Sequence, residues 1–129
     1  MPEWAVVIAA CYGASNTGQL AGAVATELVK ENPGYALVCL PAVALDLDVG
    51  LDKVKGTKTF VIIEGCPVTC CSKIVEAHAG RKPDVRVEMV QDYGVKKAPV
   101  PAYDEGEKER IKQDVKRRIE EKRAQREQG

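Results

Sequence analysis

Four cysteines, Cys11, Cys39, Cys66 and Cys70, stand at the ends of apolar runs or on the polar turns just behind them. Thiolates are soft donors, and four of them at about 2.3 Å in a tetrahedron form a standard zinc set. Cys66 and Cys70 are separated by Pro-Val-Thr, so both sulfurs can face one ion if the segment starts as loop and ends as helix. Zinc on four thiolates leaves a net charge near minus two. The open N–H groups of helices expected to begin near Ser15 to Thr17 and near Val68 offset that charge and favour the thiolate forms. Glu64, two residues before Cys66, is either an acceptor that orients the loop behind the ligands or a solvated charge at a strand end. A free cysteine also packs as a small hydrophobe. That alone accounts for Cys39 within Tyr-Ala-Leu-Val-Cys-Leu, and Cys71 is expected to be packing or a spare thiol.

Two other chemistries fit the same residues. Ser15, Asn16, Thr17 and Gly18 form the kind of polar turn that cradles an anion at a helix start, with Cys11 beside it as the nucleophile of a phosphatase-like enzyme. No arginine lies between Cys11 and Gly18 to clamp a phosphoryl group, and the same residues serve equally as a helix cap. Thiol redox or sulfur transfer through Cys66 and Cys70, or through Cys11 and Cys66, is the second, although Cys-x-x-x-Cys is not the thioredoxin spacing. His78, the only histidine, is expected on the surface.

The elements that carry these residues alternate. Ala5–Ala10, Tyr35–Leu40, Thr59–Ile63 and Val85–Val90 read as strands. Helices are expected from about residue 16 to Asn32-Pro33-Gly34, over a short stretch from Val49 to Val54, and from Val68 to Ala79 before a Gly80 cap. Strands apolar on both faces and joined by helices predict a single-domain, three-layer, doubly wound parallel sheet of about four strands in order 2-1-3-4, Rossmann- or flavodoxin-like. Ligands of such sheets bind beyond the carboxyl ends of the strands. Strands lie about 4.8 Å apart, so Cys11 after strand 1, Cys39 closing strand 2 and Cys66 after strand 3 are expected within side-chain reach of one point.

Residues 1–103 form the expected α/β metal-binding domain, and residues 104–129 an appended helix, almost wholly charged. Its Ile111, Val115 and Ile119 recur every four residues. The Asp104–Gln128 helix therefore either stays solvated or lays this stripe on the sheet, on a second copy or on another protein. At 129 residues the chain can bury a core without staples. Nineteen basic residues balance nineteen acidic ones, so no field steers it to nucleic acid or to an anionic membrane. Met1–Trp4 has no basic leader region, and Ala5–Ala10 is too short to span a bilayer. The expectation is a cytoplasmic protein whose thiols stay reduced.

Residues 11–21 (Cys-Tyr-Gly-Ala-Ser-Asn-Thr-Gly-Gln-Leu-Ala), 38–40 (Val-Cys-Leu) and 64–70 (Glu-Gly-Cys-Pro-Val-Thr-Cys) resemble the DGC-domain family. The likeness spans roughly residues 5 to 95. The family takes its name from an Asp-Gly-Cys motif and is credited with a zinc site of four cysteines, which the resemblance maps onto Cys11, Cys39, Cys66 and Cys70. It assigns no reaction. The chain departs from the pattern at Glu64, where Asp is usual, at Tyr12, where a small Ser is common, and in the additional Cys71.

Overall fold

A computed structural model describes residues 4–128. Val6–Ala10 (β1), Tyr35–Leu37 (β2), Thr59–Glu64 (β3) and Val85–Glu88 (β4) form one sheet in the order β2-β1-β3-β4. Every pairing is parallel, with Val6 opposite Tyr35 and Thr59, and Val61 opposite Val85. β1 and β3 are buried along their whole length, as expected of central strands covered on both faces.

Alternate residues of each strand feed two separate cores, because successive strand side chains point to opposite faces. Val6, Ile8, Val61, Ile63, Val85 and Val87 pack under Leu20, Val24 and Leu28 of Asn16–Glu31 (α1). Val7, Ala9, Phe60 and Ile62 pack under Leu40–Ala44 (α2), Asp48–Gly56 (α3) and Cys70–His78 (α4) on the other face. Right-handed crossovers explain the division. The chain steps one way from β1 to β2 and the other way from β2 through β3 to β4, so the connecting helices fall on opposite faces.

α1 covers β2, β1 and part of β3 and leaves β4 open on its side. Met89–Tyr93 (α5) and Glu105–Gln128 (α6) fill that space. Ile111, Val115 and Ile119 of α6 are fully buried in the α1-side core, and burying three such side chains contributes about 5 to 8 kcal/mol as an upper value. That gain outweighs fraying, and the charged helix docks on its own domain. Its polar residues add anchors. Lys112, only 4% exposed, bonds to Glu27, Glu31 and Glu109 at 2.8 to 2.9 Å, and Lys108 pairs with Glu27 and Glu105. Asp114 accepts from Tyr93 Oη at 2.7 Å and Arg118 Nε at 2.8 Å.

Two short helices replace what the sequence reads as strand. β2 stops at Leu37, and Cys39, expected to close it, is instead the N-terminal flanking residue of α2, with Pro41 in the first turn. β4 stops at Glu88, whose carboxylate accepts from Val90 N–H and Gln91 N–H and starts α5 there. A proline near a helix start and a carboxylate over a first turn are both helix-initiating signals. Neither changes the strand order. Among the described residues, no helix is long and apolar enough to cross a membrane.

Candidate metal centre

The carboxyl ends of β1 and β3 turn sharply, and backbone contact there sets the site. A side chain added at Gly18 would lie 2.8 Å from the Gly13 backbone, and one at Gly65 would lie 2.9 Å from Gly18 Cα. Only glycine lets the Cys11 turn, the α1 start and the Cys66 turn stack so closely. The Gly13 N–H then reaches Cys11 Sγ at 3.3 Å, a partial positive charge aimed at the sulfur. Tyr12 lies over Gly22, where a Cβ would be 2.3 Å from its ring, and its hydroxyl meets Thr26 Oγ1 at 2.6 Å.

Three of the four cysteines expected as ligands share a cleft of about 570 Å³. Cys11 approaches from the end of β1, Cys39 from the start of α2 and Cys70 from the first residue of α4. Leu37, Val38, Leu40 and Pro41 make the walls largely apolar, and Lys53 of α3 adds a cation. The Lys53 ammonium donates to Leu37 O at 2.9 Å and stands 5.7 Å from the Trp4 ring centre. Cys39 and Cys70 are exposed and Cys11 is half-buried.

Cys66 is outside that lining. Its sulfur instead meets Lys97 Nζ at 3.5 Å. Among the described residues, no three Cys, His, Asp or Glu side chains are already disposed around one point, so the expected convergence of all four sulfurs is not in place. The donor chemistry still fits a soft divalent ion. Three thiols open on one cleft from separate elements, a cation faces them, and no carboxylate is among the residues that line it.

Glu64 is 1% exposed. Its carboxylate accepts from Cys71 N–H at 3.1 Å, from Ser72 N–H at 2.8 Å and from Ser72 Oγ at 2.6 Å. It therefore caps α4 from the end of β3, in place of a local cap that Thr69 does not supply. Thr69 lies in the left-handed region at φ 55° and ψ 47°, a costly conformation for a β-branched residue. The strain sits directly before Cys70. Cys71 faces inward, 1% exposed, and burial, then the Glu64 charge and the neighbouring Cys11, push its thiol well above the usual range. It is a neutral packing group.

The polar turn at the start of α1 is tied off. Ser15 Oγ accepts from Gly18 N–H at 3.2 Å and contacts Thr17 Oγ1 at 3.1 Å. Asn16 binds residues 96–98: its Nδ2 donates to Lys96 O at 2.9 Å, its Oδ1 accepts from Ala98 N–H at 2.6 Å, and its own N–H reaches Ala98 O at 3.2 Å. Gly18 packs against Gly13 and Gly65. His78 lies away on the α4 end, bonded to Asp46 at 2.9 Å. Reasoning from spacing does not reach Lys53 and Lys97, because nothing in the sequence pattern marks a lysine on a short helix or one 31 residues beyond its cysteine.

A doubly wound sheet with a thiol-rich cleft at its carboxyl edge defines the class of protein. The DGC domain family matches residues 7–115, and the chain belongs to that family. The match includes the first half of α6, beyond the 5–95 that the motifs delimit, and so takes in the buried Ile111 and Val115. No curated protein and no solved structure matches the chain.

Proposed function

We propose that this chain binds a zinc ion through the thiolates at the carboxyl edge of its sheet, with Cys11, Cys39 and Cys70 as donors from the cleft and Cys66 at its margin as the fourth. The observation that carries the reading is the shared cleft: three cysteines from three separate elements line it, and two of them, Cys39 and Cys70, are exposed there. Zinc prefers thiolates in a tetrahedral set, and when bound it supplies charge neutralisation and a cross-link between elements. The protein's own part is to hold the sulfurs and balance their charge. The Gly13 N–H points at Cys11, Lys53 faces the cleft, and Glu64 fixes the α4 turn that carries Cys70. A closed site orders the cleft and an open one adds a reactive position.

Metal analysis of the reduced full-length chain, purified without added metal, tests the reading. About one zinc per chain is expected, lost in Cys11→Ser and in Cys70→Ser and retained in Cys71→Ser. A chain that takes up no zinc from a buffered supply, or one in which only Cys71→Ser abolishes uptake, would refute it.

A further inference from the structure

The cleft at the carboxyl edge is larger than its thiols account for, and the rest of its wall has a chemistry of its own. At about 570 Å³ it falls within the range of small-molecule pockets, whereas three other clefts of the chain measure about 270 to 360 Å³. Each of those three holds a carboxylate in its wall: Asp84 and Glu121 in one, Asp104 and Glu107 in another, Glu27 in the third. No acidic residue lines the large cleft, and Lys53 is its one basic residue. Leu37, Val38, Leu40 and Pro41 supply an apolar wall. Lys53 is half-buried and held in place. Its ammonium donates to Leu37 O at 2.9 Å and stands 5.7 Å from the Trp4 ring centre. A carbonyl takes one of the three N–H donors and leaves the positive charge unneutralised, so the ammonium keeps donors for an anion.

We infer that this cleft binds an amphipathic monocarboxylate, with its apolar body on Leu37, Val38, Leu40 and Pro41 and its carboxylate on Lys53. An apolar body takes both its own surface and that of the wall out of water, which favours binding by up to about fourfold for each methylene buried. A carboxylate on the ammonium adds a charge-assisted hydrogen bond. A cationic guest would meet Lys53 with like charge, and a compact, strongly hydrated anion would gain nothing from the apolar wall. One ammonium beside apolar surface therefore selects a molecule with one anionic end. The inference goes beyond the metal reading and does not rest on it, since it uses neither an ion nor the thiols.

Calorimetric titration of the reduced, chelator-treated full-length chain with decanoate tests this, and the fluorescence of Trp4, the only tryptophan, reports binding beside Lys53. About one decanoate per chain should bind, and affinity should fall stepwise from decanoate through octanoate to hexanoate. Decanol should bind more weakly than decanoate, and decyltrimethylammonium most weakly of the three. Lys53→Met should weaken decanoate about tenfold, the low end for a hydrogen bond to a charged group, while binding decanol no more weakly than wild type does. Lys53→Arg should keep decanoate within about threefold. Should Lys53→Met lose decanol as well, the cleft itself has collapsed, and the wild-type preference for decanoate over decanol decides. No uptake of decanoate, affinity independent of chain length, binding no tighter than decanol, or a Lys53→Met variant equal to wild type would each overturn the inference. Every arm is run without metal, so those results leave the zinc reading standing, and a chain that takes up no zinc leaves the carboxylate site standing.

Discussion

Glu64→Gln isolates the carboxylate that starts α4, because it keeps the shape of the side chain and removes only its charge and one acceptor. In the wild type one oxygen takes the Cys71 N–H and the other takes both Ser72 groups. An amide can keep the Ser72 pair on its oxygen, but its NH₂ then faces the Cys71 N–H, donor against donor. With Glu64 only 1% exposed, water cannot relieve the mismatch. Leaving a buried donor unmatched costs about 1 to 3 kcal/mol, and losing a negative charge over a helix start costs about another 0.3 to 1. Part is returned because a charge no longer has to be kept out of water. The expected net loss is about 2 kcal/mol. For a domain of this length that is a fall in melting temperature of roughly 6 to 10 °C. Urea unfolding of reduced, chelator-treated protein reads it as a lower midpoint at unchanged slope. Glu64→Asp, which keeps the carboxylate on a shorter arm, should fall between the two. A Gln variant within about 0.5 kcal/mol of wild type would refute the assignment of Glu64 as the cap of α4, since surface charges away from such roles change stability by no more than that.

Two further expectations concern α6. Lys112→Met removes the cation shared by Glu27, Glu31 and Glu109 and should cost about 1 to 2 kcal/mol, a moderate figure because the carboxylates are partly solvated. The deficit should shrink as salt screens the stranded acids, and a deficit that grows with salt would contradict the account. For Asp114, burial raises the carboxyl, but the Tyr93 hydroxyl and the Arg117 and Arg118 guanidiniums outweigh it and lower it from 3.8 to about 2. A depressed folded value means stability that is present above pH 4 and is lost as pH falls toward 2. Asp114→Asn should flatten that part of the stability profile, and an unchanged acid limb would refute it.

The strand order was legible because a central parallel strand is apolar on both faces, and Ala5–Ala10 and Thr59–Ile63 show just that. Cys39 was misplaced for the same reason. Leu40 to Ala44 continues the apolar run of β2, and five residues are too few for a helical period to show. The Val85–Val90 alternation likewise ran on through Met89, although Glu88 turns the chain into α5. At the site, cysteine type and position mark Cys11, Cys39 and Cys70 as neighbours of one cleft. Cys66 instead meets Lys97, beside residues that Asn16 binds, contacts that span 31 and 82 residues. Pairings at such separation leave no periodic trace in one sequence. Glu64 was readable as an acceptor or as a solvated charge, and only its burial decides for the acceptor.

Glycines set the backbone spacing on both sides of the cleft. On one side, the Cys11 and Cys66 turns are locked together main chain to main chain, with no side chain between them that a rotamer change could relax. On the other, Cys39 rides on a five-residue helix that has no side-chain cap and is braced by Gly50 of α3 against Val43. Both sides of the cleft are therefore spaced by a hydrogen where any other residue has a carbon, and a methyl group at Gly18 or Gly50 would wedge the backbone apart on its own side.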